Sequence, residues 1–209
     1  MAQPSPEEED IAGVAREVSR RMGVSNFDLK RVSWAGRADR SDECGFVDRK
    51  FNFLVLPKAL MGRLQPEEWG PLIAVSIIRS KSGGKLARRA GLTRVVLPAS
   101  LIGLVLVVVA IIFAKEQWTP LVLDVAGLAS TVVLTLMYAP EGKKITLLTD
   151  RRAAEVVGRE NFLQVLQKID GMGLKDVERL KAGGLRRRFR PSITERIDNL
   201  QQSAGSAPI

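Results

Sequence analysis

Few residue types in this chain could do chemistry. It has 209 residues, no histidine and one cysteine, Cys44. Histidine is the commonest zinc ligand and the commonest general base, and one cysteine cannot complete an ordinary nitrogen-and-sulfur zinc site within one chain. Without a histidine to act as its base, Cys44 is interpreted as an ordinary loop thiol. Catalytic or metal chemistry would therefore fall on the carboxylates.

A glycine-rich step, Gly83-Gly84-Lys85, resembles part of a phosphate-binding loop. Such a loop needs a second glycine five residues before the Gly-Lys pair and a hydroxyl residue directly after the lysine, and both are missing here. We interpret this step as the end of a helix.

Around these residues the periodicity predicts helices and two strands. An apolar stripe of period 3.6 marks a first helix that ends near Met22. Later helices follow Pro66, Asp150, Gly158 and Lys175, and a Ser192–Glu195 capping box opens the last one. The predicted strands are Phe27 to Trp34 and Phe46 to Leu56.

Two apolar segments, 95–114 and 118–139, dominate the middle of the chain. Each supplies the roughly 20 residues with which a helix crosses a bilayer, so they predict a transmembrane helical hairpin. The alternative is a buried helical pair in a soluble core. Asp124 lies in the second segment and is either functional or solvated near the interface.

The charge pattern predicts where the flanks lie. The net charge is +9, and basic residues crowd both ends of the hairpin, for example Arg88, Arg89, Lys143 and Lys144. The positive-inside rule then places both termini in the cytoplasm of a multi-pass plasma-membrane protein. The predicted divisions are a disordered 1–10, half-domains 11–94 and 140–200 around the hairpin 95–139, and a disordered 201–209.

The order of these elements, with three local motifs, resembles the HtpX-type membrane zinc metallopeptidases, relatives of the CAAX prenyl proteases. Leu64-Gln65-Pro66-Glu67-Glu68 matches the lead-in to the catalytic helix. Arg152-Ala153-Ala154-Glu155 matches the helix of the third zinc ligand, and Arg190-Pro191-Ser192 followed by Glu195-Arg196-Ile197 matches the last helix, with Arg190 for histidine. The resemblance implies an α+β, zincin-like scaffold, mostly helical with a small sheet, interrupted by the hairpin, and a role in protein quality control.

The catalytic motif of that family is absent. Counted from Glu68, H-E-x-x-H falls on Val75, Ser76 and Arg79, where valine cannot bind zinc, serine cannot replace the glutamate base and arginine puts a positive charge at the metal position. Glu155 is a vestigial third-ligand candidate or a solvent-facing helix residue. We therefore expect no cofactor and no catalytic residue.

Three functions follow. The first is an inactive pseudoprotease that binds a protein partner or membrane substrate along Lys50, Phe51, Asn52, Phe53 and Leu54, where the resemblance implies an added strand. The second is an active zinc peptidase with a displaced site of carboxylates. The third is a membrane-tethered binder of anionic lipid or nucleic acid through Arg186, Arg187, Arg188 and Arg190, beside a glycine turn at Gly171–Gly173. The lipid bilayer is an expected partner and nucleic acid is not.

Overall fold

The first helix, α1, spans Pro6–Arg21. The computed structural model describes residues 5–35, 41–47, 51–91, 127, 142–184, 187 and 189–202, with side chains for all except 82–91. Ser5 caps α1 reciprocally with Glu8: the Glu8 N–H donates to Ser5 Oγ at 3.3 Å, and the Ser5 N–H donates to a Glu8 carboxylate oxygen at 3.0 Å. This capping box starts the helix inside the segment predicted to be disordered.

The three short strands form one mixed sheet. They are β1 (Arg31–Ala35), β2 (Gly45–Phe46) and β3 (Phe53–Pro57), in the order β1-β3-β2. β1 is parallel to β3, whereas β2 is antiparallel to it. The single strand predicted from Phe46 to Leu56 is therefore two strands, because the charged sequence Asp48-Arg49-Lys50 interrupts the apolar pattern.

The central helix, α2, spans Gly70–Gly91 and follows a 3-10 turn at Pro66–Trp69. Its first two turns are almost wholly buried, since they pack between α1, the sheet and the C-terminal helices; the buried residues include Leu72, Ile73, Ala74, Val75 and Ile77. The predicted end at Ser82–Gly84 is wrong. A glycine inside a helix costs only about 1 kcal/mol, and good helix formers follow.

The C-terminal part of the chain is helical. α3 covers 142–157 and is followed by α4 (Arg159–Gly171), α5 (Lys175–Lys181) and α6 (Ile193–Gln202). Gly158, at φ +87°, separates α3 from α4, as predicted. The predicted cap of α6 is confirmed, because the Glu195 N–H donates to Ser192 Oγ and the Ser192 N–H donates to Glu195.

The predicted membrane topology is corrected. Across the ranges given above, no helix is both long enough and apolar enough to cross a bilayer. The 22-residue α2 has the length, but it carries Arg79 and Lys81 and runs on through the basic sequence 85–89. This finding contradicts the transmembrane hairpin in the predicted fold class and the predicted multi-pass plasma-membrane location. The segments 95–114 and 118–139, and with them Asp124, lie outside the described residues, except for Gly127.

Candidate functional site

The candidate site is a groove of about 620 Å³ between the sheet and α2. One wall is the segment that contains β2, another is the C-terminal end of β3, and the floor is one face of α2. The groove is lined by Ala35, Glu43, Cys44, Gly45, Phe46, Val47, Val55, Leu56, Pro57, Ser76, Arg79 and Ser80.

The outer edge of β2 borders this groove. The Val47 N–H donates to the Phe53 carbonyl at 3.1 Å, so Val47 and, two residues earlier, Gly45 face β3. In an antiparallel ladder the residue between them points its N–H and C=O away from the partner strand. These outward groups belong to Phe46, and no backbone group among the described residues pairs with them. β2 therefore offers a short edge to which another strand could pair.

Two exposed apolar side chains lie beside that edge. Val47 is 71% exposed, and Phe53, directly opposite it on β3, is 42% exposed. A chain bound along this edge could bury apolar side chains against this pair. The Phe46 side chain points to the other face of the sheet, where its ring makes an edge-to-face contact with Phe51 at 5.0 Å.

The floor of the groove is the part of α2 to which the resemblance assigns the catalytic motif. Ser76 and Arg79 line the groove, as does Ser80. Val75 is buried in the core. The face that would have to hold a metal and a base therefore presents two hydroxyls and a guanidinium.

Arg79 forms a bidentate ion pair with Glu43. Its Nη1 donates to Glu43 Oε2 at 2.7 Å and its Nη2 to Oε1 at 3.1 Å. Burial alone would raise the pKa of the Glu43 carboxyl, but Arg79, Arg190 and Arg196 outweigh burial and hold that pKa well below its usual range. Glu43 is thus a carboxylate that neutralises arginines rather than a free base.

This pair belongs to a larger network of three acids and three arginines. Arg190 pairs with Asp42 and lies 3.4 Å from Glu43. Arg196 is only 1% exposed, and its Nη1 lies 3.1 Å from Asp42 Oδ2. Arg196 also donates two hydrogen bonds to the Asp150 carboxylate. The formal charges cancel, which is what allows six charged groups to lie together in or beside the core.

Cys44 lies between the groove and the core and is 8% exposed. Burial, helped by the neighbouring Glu43 charge, raises the pKa of its thiol to about 12. A thiol reacts as its thiolate, so burial makes Cys44 a weak nucleophile in the folded protein. Its interpretation as an ordinary thiol agrees with these surroundings, although it lies next to β2 rather than in an open loop.

The residues predicted to bind an added strand lie on or near β3, which is the central strand. Phe51, at φ +60°, and Leu54 are buried. Asn52 accepts backbone hydrogen bonds from Lys30 and Arg31 through its carbonyl. Only Phe53 is exposed, and Lys50 lies outside the described residues. The strand beside the groove is β2, which the sequence interpretation had merged with β3.

The acid that faces inward on α3 is Asp150, whereas Glu155 is exposed. Thr146, Asp150 and Ala153 share the buried face, at spacings of four and three residues. That spacing, together with Arg196 on a later amphipathic helix, is the signal that could have identified Asp150.

In the basic cluster (Arg186, Arg187, Arg188 and Arg190), two arginines form ion pairs within the protein. Arg187 donates to Glu195 and Arg190 pairs with Asp42, while Arg186 and Arg188 lie outside the described residues. The turn Gly171–Gly173 joins α4 to α5, where Asp176 accepts two hydrogen bonds from Ser41. Both features therefore serve internal contacts.

In the part of the chain that the structure describes, no three histidine, cysteine, aspartate or glutamate side chains are grouped so that they could hold a metal ion. The chain matches no protein-family model, no curated protein and no solved structure. The HtpX-type resemblance stays a prediction.

Proposed function

We propose that this protein is a non-catalytic polypeptide-binding protein that receives an extended segment along β2. The observation that carries the proposal is the outward-facing backbone of Phe46 beside the groove, which pairs with no backbone group in the part of the chain that the structure describes. We name the residues Cys44 to Val47 the docking edge. A strand added there gains main-chain hydrogen bonds, and the side chains on one of its faces would lie against the groove.

The floor of the groove supports binding rather than cleavage. Hydrolysis of a peptide needs an activated water or nucleophile and a group that moves protons. Ser76 and Ser80 have no histidine anywhere in the chain as a base, and Glu43 is held as a carboxylate by Arg79. The hydroxyls of Ser76 and Ser80 can donate hydrogen bonds to a bound chain, whereas the Glu43 carboxylate can only accept them.

A selection from a random peptide library displayed on phage, with the full chain as bait, tests this proposal. The affinity of a selected peptide is then measured calorimetrically for the wild type and two variants. Ser80→Tyr fills the groove from an exposed position of α2. Lys81→Tyr is the matched control, because Lys81 is also exposed on α2 but does not line the groove.

We expect Ser80→Tyr to weaken binding at least about tenfold, which corresponds to about 1.4 kcal/mol, and Lys81→Tyr to change it less than twofold. Binding should also protect the Phe46 amide from hydrogen exchange. A selection that yields no binder, or a binder indifferent to Ser80→Tyr, would overturn the proposal.

A further inference from the structure

The docking edge is part of a segment, 41–47, whose own strand pairing is slight. β2 has only two residues, and the pairing with β3 extends to Val47. Two residues of strand add few hydrogen bonds to the three-stranded sheet, so this pairing alone is weak. Other contacts must therefore hold the docking edge in its place beside the groove.

Besides the pair of Glu43 with Arg79 on α2, those contacts come from the C-terminal part of the chain and are polar. Ser41 donates to Asp176 on α5 through its N–H at 2.7 Å and through its hydroxyl at 2.8 Å. Asp42 pairs with Arg190 and also with Arg196 on α6. Three consecutive residues, Ser41 to Glu43, are thus held by side chains that lie far away in sequence.

We propose that Asp176 and Arg190 are positioning residues that hold the docking edge in its binding-competent place, so that the C-terminal helices control the groove. This inference rests on the proposed function for its meaning. The contacts of Arg190 and Asp176 lie nearer the surface than the buried Arg196–Asp150 pair. Their loss should free segment 41–47 locally while the core stays folded.

The chain carries its own reporter of this local opening. Cys44 is the single thiol and lies inside segment 41–47. Because it is buried, it can react with a reagent such as dithiobis(nitrobenzoate) only when the segment opens. The labelling rate of the full chain therefore measures how often the docking edge leaves its place.

The experiment compares Arg190→Gln and Asp176→Asn with the wild type at pH 8. Removing a charged hydrogen-bond partner should raise the labelling rate about tenfold, with a shallow dependence on urea because little surface is exposed. Arg187→Gln is the matched control, since Arg187 belongs to the same basic cluster but pairs with Glu195. Its labelling rate should stay within about twofold of the wild type.

The inference would be overturned if both variants label at the wild-type rate. It would also be overturned if labelling rose only in proportion to the global unfolding constant measured by circular dichroism. Labelling requires no peptide, so a failed library selection would remove the proposed function and leave this result standing. If a selected peptide bound with wild-type affinity to variants that label fast, the claim that the C-terminal helices control the groove would be overturned, and the proposed peptide binding would stand.

Discussion

Arg196 and Asp150 form a two-pronged ion pair in the interior, with Nε 2.7 Å from Oδ2 and Nη2 2.9 Å from Oδ1. The guanidinium also lies over the Phe162 ring, 5.9 Å from its centroid. This pair joins α3 to α6, and through Asp42 it reaches the segment that carries the docking edge. It is the innermost part of the charge network.

Replacing Arg196 with methionine should therefore be strongly destabilising. The change leaves Asp150 buried without its ion-pair partner and Asp42 with Arg190 alone, and breaking a buried pair in this way costs about 3–5 kcal/mol. Urea denaturation followed by circular dichroism measures this loss. Arg187→Gln, at a side chain that is 46% exposed, should cost no more than about 1 kcal/mol. An Arg196→Met variant as stable as this control would contradict the importance of the pair.

Stability should depend on pH through Glu43. Its pKa in the folded protein is lowered by the arginines around it, below the value of about 4.3 for an unfolded chain. The stabilisation is therefore complete above about pH 5 and is lost as the pH falls through the lower, folded value. Urea denaturation of the wild type and Glu43→Gln at pH 7 and pH 3 should show a gap in the free energy of unfolding that narrows at pH 3. An equal gap at both pH values would refute this account.

Zinc should not bind to the purified chain. The chain has no histidine, its one thiol has a raised pKa and Arg79 projects into the groove. Incubation with zinc followed by exhaustive exchange and mass spectrometry should give a stoichiometry near zero. Glu155→Ala should leave that stoichiometry unchanged. It should change the free energy of unfolding by no more than about 0.5 kcal/mol, because Glu155 is exposed. A stoichiometry near one that Glu155→Ala abolishes would restore the enzyme interpretation.

Two glycines should respond oppositely to alanine. Gly158 has φ +87° between α3 and α4, a conformation that is strained for alanine, so Gly158→Ala should lower the free energy of unfolding by about 1–3 kcal/mol. Gly13 lies exposed inside α1 with open space around it, so Gly13→Ala should raise the free energy of unfolding by about 0.5–1 kcal/mol. Thermal denaturation measures both. A stabilising Gly158→Ala would mean that the α3–α4 junction is not built as described.

Local rules predicted the elements whose signals are local. The capping box at Ser192, the break at Gly158 and the inward stripe of α1 each depend on residues within a few positions of one another, and the structure agrees with all three. The split between β2 and β3 was missed, although the charged sequence Asp48-Arg49-Lys50 between the two apolar runs is a local signal of it. The ion pair of Asp150 with Arg196 spans 46 positions, and no local pattern specifies such a partner.

The network between Asp42 and the two arginines has a consequence for how the protein is made. Asp42 lies 148 positions before Arg190 and 154 before Arg196. Such distant contacts form late, since the chain between them must first be ordered. A ribosome delivers residues in sequence, so α1 and the strands emerge long before the arginines that fix segment 41–47. We expect a nascent chain halted before Arg190 to lack an ordered docking edge, so that binding competence arrives only after Arg190 and Arg196 have been made.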